Sequence, residues 1–166
     1  HKETRIPGRG TEEMKTNDVT GRYRLGQVGM AMEVGRPGTG TRFRDVQMLT
    51  MAIAELGIRL EPKNPVTFLI VDQEKGLLNP DVLDEKVLSA IVEFTIPIER
   101  TAEVIERLCQ VEKQINTVFS VDLICKVTPD GSIPTVPLMR ELGIPLSSNG
   151  KSNIGLGRPR FEEVIL

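Results

Sequence analysis

The chain has no tryptophan, one tyrosine (Tyr23) and an aromatic content of 4% over its 166 residues. Single-stranded nucleic-acid sites of the base-stacking kind rely on exposed rings, so this scarcity argues against one. The other nucleic-acid footprint is a global basic field, and a net charge of −2 removes it. Any anion site must therefore be local. Histidine is confined to His1, which leaves no imidazole in the body of the chain for acid–base work or metal ligation. Cys109 and Cys125 are the two cysteines. They are too few for a disulfide framework and lack metal-type spacing, so a reducing cytoplasm is expected and no metal centre. With no base nearby, both thiols read as small core residues. No apolar run reaches membrane-span length, and the first residues are too polar for a signal peptide, so the expectation is neither insertion nor export.

What remains is an ordinary globular composition, 39% hydrophobic and 27% charged. A chain of this length buries roughly 70% of its unfolded surface around one core. Residues 1–20 read as a polar arm broken by Pro7, Gly8 and Gly10. Val28, Met30, Met32 and Val34 recur at period two, which predicts a strand. The loop Gly35-Arg36-Pro37-Gly38-Thr39-Gly40 follows, and Thr41 then caps a helix whose face is Val46, Leu49, Ile53 and Leu56, closed by Gly57. The apolar run from Val66 to Val71, ending in Asp72, predicts a buried second strand. Leu88, Ala90, Val92, Phe94 and Ile96 alternate in a third, stopped by Pro97. Val104, Ile105, Leu108, Val111 and Ile115 keep helical spacing, and Phe119, Val121, Leu123, Cys125 and Val127 alternate in a fourth strand before the turn at Pro129-Asp130-Gly131.

Strand, helix, strand, strand, helix, strand is the split βαβ arrangement, and right-handed crossovers place both helices on one sheet face. The expected fold class is α+β: a ferredoxin-like βαββαβ sandwich over residues 21–130. The appendage 131–166 packs on the same domain. It holds a short helix from about Pro137 to Leu142, capped by Thr135 and ended by Gly143, and then a glycine-rich tail.

Two glycine-rich segments suit an anion. In the first loop, Arg36 and Arg42, with Arg44, surround a helix N-terminus, and Gly38 and Gly40 let the backbone approach a ligand. Such a terminus presents unpaired amides and is a natural anion seat. Asp45 offers a plainer account, balancing the arginines in an ordinary connection. The second segment carries Gly150, Lys151, Gly155 and Arg158, again with a Gly-Arg-Pro triplet. It is no P-loop, because that motif's first glycine falls on Pro145. Its plainer account is a solvated tail. Asp72 and Glu74, at the end of a buried strand, are candidate bases or metal ligands, with a turn-forming Asp72 as the alternative. Glu93 and Lys86 lie on a polar face of the third strand and Asp122 and Lys126 on that of the fourth, so cross-strand ion pairs are expected where those strands are neighbours or meet across a dimer.

The run Ser148-Asn149-Gly150-Lys151-Ser152-Asn153-Ile154-Gly155-Leu156-Gly157-Arg158-Pro159 resembles the signature of a conserved archaeal, methanogen-type family without an assigned activity. That resemblance implies no catalytic residues. The leading expectation is a cytoplasmic, homodimeric ligand-binding or accessory domain that holds a phosphorylated or carboxylated small molecule between the two loops, with no cofactor specified. One alternative is an enzyme acting on such an anion through Asp72 or Glu74. The other is a structural subunit whose loops bind protein.

Overall fold

Alternation of Val28, Met30, Met32 and Val34 with Gly29, Ala31 and Glu33 suits a strand with one face in a core. In the computed structural model, which describes residues 22–36 and 38–147, this run is β1 (Gln27–Val34), and all of its large apolar side chains are fully buried. It is the central strand of a three-stranded sheet, antiparallel to β6 (Ala90–Pro97) on one side and to β7 (Phe119–Ile124) on the other. Met32 lies opposite Val92 and Val121, so the apolar positions of the strands line up on one face.

Two amphipathic helices cover that face. α1 (Phe43–Glu55) contributes Val46, Leu49, Ala52 and Ile53, and α2 (Thr101–Val111) contributes Val104, Ile105, Leu108 and Val111 to the same core. Each of these valine, leucine and isoleucine side chains adds about 1.5–3 kcal/mol when removed from water. A third helix, α3 (Thr135–Glu141), inserts Met139 into the same core. Its N-cap is Pro134 and makes no side-chain cap; Thr135 is the first helical residue. Among the described residues, no helix is long and apolar enough to cross a membrane.

The class is mixed α and β with antiparallel sheets, and three details depart from expectation. First, Val66 to Leu69 is not strand: Thr67–Leu69 forms a 3-10 turn. Asn64 sets it, because its side-chain oxygen accepts the Val66 N–H at 2.7 Å and its carbonyl accepts the Thr67 N–H at 3.0 Å, with Pro65 pre-set for a turn. The strand that follows, β3 (Ile70–Asp72), pairs with β4 (Leu77–Leu78) in a separate hairpin. At the free edge of β6 the main sheet gains only the isolated bridge Leu60–Phe94, beside which the Glu61 N–H donates to the Glu93 carbonyl at 2.7 Å. Second, Thr41 does not cap α1. It belongs to β2 (Thr41–Arg42), which pairs with β5 (Lys86–Val87), and Arg42 takes the N-cap place without a side-chain cap. Third, β6 and β7 flank β1 and are not neighbours, and Lys86 belongs to β5, so the expected pairing across the third and fourth strands has no shared ladder. Glu93, 1% exposed on the sheet face away from the helices, instead accepts the Asn64 side-chain amide at 2.6 Å.

That outer face is closed at one end by Tyr23, whose ring occupies the space a side chain at Gly29 would need. An ion pair between Arg22 and Glu61 at 3.0 Å lies next to it.

Candidate functional site

The loop after β1 closes tightly. Gly35 N–H donates to the Val118 carbonyl at 2.8 Å, and Gly40 N–H returns to the Gly35 carbonyl at 2.9 Å. A Cβ on Gly35 would sit 2.9 Å from the Gly40 carbonyl carbon and 3.0 Å from the Leu88 oxygen, at a φ of +85°. Glycine here serves the tight return of the loop onto Gly40 and Thr41. Thr117 ties the loop to the start of β7 by donating its hydroxyl to the Gly40 carbonyl at 3.0 Å.

The N-terminus of α1 differs from the anion seat that its glycines and arginines suggest. Its first amides are already taken: Phe43 N–H donates to the Glu85 carbonyl at 3.2 Å and Arg44 N–H to the Leu83 carbonyl at 3.0 Å. Residues 83–85 lie across the helix end and do what a capping side chain or a ligand otherwise does. Asp45 is buried in the first turn, and its Oδ1 accepts the Asn116 N–H at 3.2 Å.

What the segment builds is a cleft beside the helix end, open to solvent and about 580 Å³ in volume. Thr39, Gly40 and Thr41 form one wall, Arg42, Arg44 and Asp45 the floor strand and helix start, and Asp84, Lys86 and Asn116 the rest. The β2–β5 ladder places Arg42 directly opposite Lys86, and both side chains are exposed. Arg42 Nη1 donates to the Asp84 carbonyl at 2.6 Å, and the Arg44 guanidinium pairs with the Asp84 carboxylate. The cleft therefore gathers three cations and two carboxylates, with no apolar side chain in its wall.

Of the residues singled out from sequence, Gly40 and Arg42 line this cleft. Arg36 pairs with Glu33 of β1 at 3.2 Å and does not line it. Gly38, exposed at the loop tip with a φ of +72°, has open space around it. Gly150, Lys151, Gly155 and Arg158 lie outside the described residues. Asp72 Oδ1 accepts the N–H groups of Glu74 and Lys75, both at 3.1 Å, and its other oxygen is 3.5 Å from Lys75 Nζ. That carboxylate holds the turn into β4, and Glu74 is exposed in the same turn.

Asp84 and Asn116 carry no mark in the sequence, and Lys86 is marked there only as a candidate for ion pairing. Nothing local assigns them to the cleft, because they reach it through a pairing that joins positions more than 40 residues apart and through a backbone bond from Asn116 to Asp45. Among the described residues, no group of three or more histidine, cysteine, aspartate or glutamate side chains could hold a metal ion. No protein-family model, curated protein or solved structure matches the chain.

Proposed function

We propose that this is a ligand-binding accessory domain that holds a phosphorylated or carboxylated small molecule in the cleft between β2, β5 and the start of α1. One observation carries the reading: Arg42 and Lys86 are exposed like charges set face to face across a two-residue ladder, beside Arg44. Like charges in that position destabilise a ladder, and an anion between them turns the cost into charge-assisted hydrogen bonds. Gly38 and Gly40 give the loop backbone its close approach. Gly150, Lys151, Gly155 and Arg158 belong to the reading as a second set of anion contacts. The commitment of Asp72 to its own turn supports binding over catalysis by Asp72 or Glu74.

The finer fold reading is a ferredoxin-like sandwich. Its supports are the sheet order, with the expected third and fourth strands flanking the first, and the Leu60–Phe94 bridge at the edge where the second would lie. A homodimer fits β7, which among the described residues has a neighbour on one side only. The unbridged thiols of Cys109 and Cys125 suit a reducing cytoplasm, and residues 148–159 keep the resemblance to the archaeal family. A protein-binding role is favoured by Phe68 and Val71, which are 64% and 65% exposed three residues apart.

Thermal melting against phosphate and carboxylate compounds tests the main reading. A ligand at a hundred times its dissociation constant adds about 2.7 kcal/mol, or roughly 5–10 °C for a domain of this size. Arg42→Ala and Lys86→Ala are expected to abolish that rise, and Arg158→Ala to reduce it. If no anion moves the midpoint, the small-molecule reading gives way to the protein-binding one.

A further inference from the structure

We infer that the cleft selects a phosphorylated polyol, a sugar phosphate in chemical class, over a nucleotide, a lipid or a simple carboxylate; this rests on the anion-binding reading above. The cations come first. A phosphate monoester carries about −1.5 to −2 charge at neutral pH and presents three strong acceptor oxygens, which matches Arg42, Arg44 and Lys86 better than a single carboxylate does. Asp84 already draws on both arginines, so Lys86 is the cation lining the cleft with no such tie to Asp84.

Asp45 supplies the selectivity. It lines the cleft and is only 7% exposed, yet just one of its oxygens is engaged, by the Asn116 N–H. Its other oxygen has no hydrogen-bond or ion-pair partner among the described residues. An ionised carboxylate only accepts hydrogen bonds and offers about four sites for them. Such a group repels a bare phosphate and attracts hydroxyls, so it rewards a ligand that carries donors next to its phosphate. The Asn116 side-chain amide and the Thr39 hydroxyl extend the same polar wall.

The wall also sets what is rejected. Nucleobases and acyl chains are held by aromatic and aliphatic side chains, and no such residue lines this cleft. A base or an alkyl tail would remain in solvent and add no affinity.

Calorimetric titration of the full chain at fixed ionic strength, with ribose 5-phosphate, glucose 6-phosphate, inorganic phosphate, AMP and acetate, decides between these outcomes. A sugar phosphate is expected to bind at least about tenfold tighter than inorganic phosphate, the worth of one hydrogen bond to a charged group. AMP should bind no tighter than ribose 5-phosphate, and acetate more weakly than either. Asp45→Asn keeps an acceptor for the Asn116 N–H and removes the charge. It should hold inorganic phosphate as well as or better than the parent while losing the sugar-phosphate advantage. Lys86→Ala, at an exposed position that does not threaten folding, should weaken every phosphate compound alike. Equal binding of phosphate and sugar phosphate, or an advantage that survives Asp45→Asn, overturns the polyol inference and leaves the anion site standing. Absence of any phosphate or carboxylate binding by the parent overturns both. If Asp45→Asn fails to fold, the ligand ranking on the parent still decides.

Discussion

Gly57 and Gly76 share one backbone conformation and differ in surroundings, so substituting each by alanine separates two costs usually measured together. Their φ values are +69° and +68°. Gly57 ends α1 with nothing within 4 Å of a built Cβ, whereas at Gly76 that atom would overlap the Thr50 carbonyl and lie 2.8 Å from Met51 N. Both neighbours are helix backbone, which cannot swing aside. The Thr50 hydroxyl also donates to the Gly76 carbonyl at 2.6 Å, pinning the turn to α1. Placing a non-glycine residue in the left-handed region costs about 1–2 kcal/mol. The loss of unfolded-state freedom gives back about 0.4–1 kcal/mol. Gly57→Ala should therefore cost about 1 kcal/mol, a fall of roughly 2–4 °C in melting temperature. Gly76→Ala adds an overpacking cost of about 1–3 kcal/mol and the strain on the Thr50 bond, for about 3 kcal/mol and roughly 6–12 °C in all. Urea unfolding with a common slope gives both values. Equal losses in the two variants would refute the close approach of the turn at Gly76 to α1.

Thr101 opens α2 fully buried, and its hydroxyl has no hydrogen-bond partner among the described residues; Thr101→Val keeps the shape, removes the stranded group and is expected to raise stability by about 1 kcal/mol in urea unfolding. Asp130 is held below the usual carboxylate range by the Thr128 hydroxyl first, then by the Ser132 N–H and hydroxyl. Because its folded pKa is depressed, its contribution is present above the unfolded value of 3.8 and is lost as pH falls through the folded one. Glu103 behaves in the same way under the Arg100 hydrogen bond. Melting temperature followed from about pH 6 down to pH 2.5 should thus fall less steeply for Asp130→Asn than for the parent, and parallel curves would dismiss the turn as a contributor.

The legible parts of this fold were those written in local period. β1 and α2 announce themselves because alternation and helical spacing survive along their whole lengths, and the core is built from those positions. The run from Val66 misled because β-branched, apolar residues also suit a buried turn. What decides the matter is Asn64, whose side chain caps the turn while Glu93, distant in sequence, holds it. Leu88, read as the first position of the third strand, is 82% exposed because the strand breaks there, and Lys86 and Val87 join β2 instead. The site followed the same rule. Arg42 was visible as a cation near a glycine-rich turn, but its true neighbours, Lys86 and Asp84, are set by a ladder that no local pattern encodes. The helix amides that made the anion seat attractive are covered by residues 83–85, again a long-range contact.

That ladder offers a stability test of the functional reading. Arg42 stands at the N-cap of α1, where positive charge opposes the helix dipole, and directly opposite Lys86, where it opposes a like charge. Both costs are local and electrostatic, and among the described residues its one side-chain hydrogen bond is to the Asp84 carbonyl. Arg42→Gln and Arg42→Glu both give up that bond and share a shape, so comparing them isolates charge. The glutamate variant gains attraction to Lys86, about 0.2–1 kcal/mol, and a favourable dipole interaction of about 0.3–1 kcal/mol. Repulsion from Asp84 and Asp45 in the same cleft offsets part of this, so the glutamate variant should exceed the glutamine variant by about 0.5 kcal/mol in low salt, and the gap should close in about 1 M salt, where the screening length falls to about 3 Å. A position whose native residue is the less stable choice, and whose reversal also abolishes anion binding, is one kept for its ligand. If glutamate proves no more stable than glutamine at low salt, the like-charge pair carries no cost, and the reading loses the observation on which it rests.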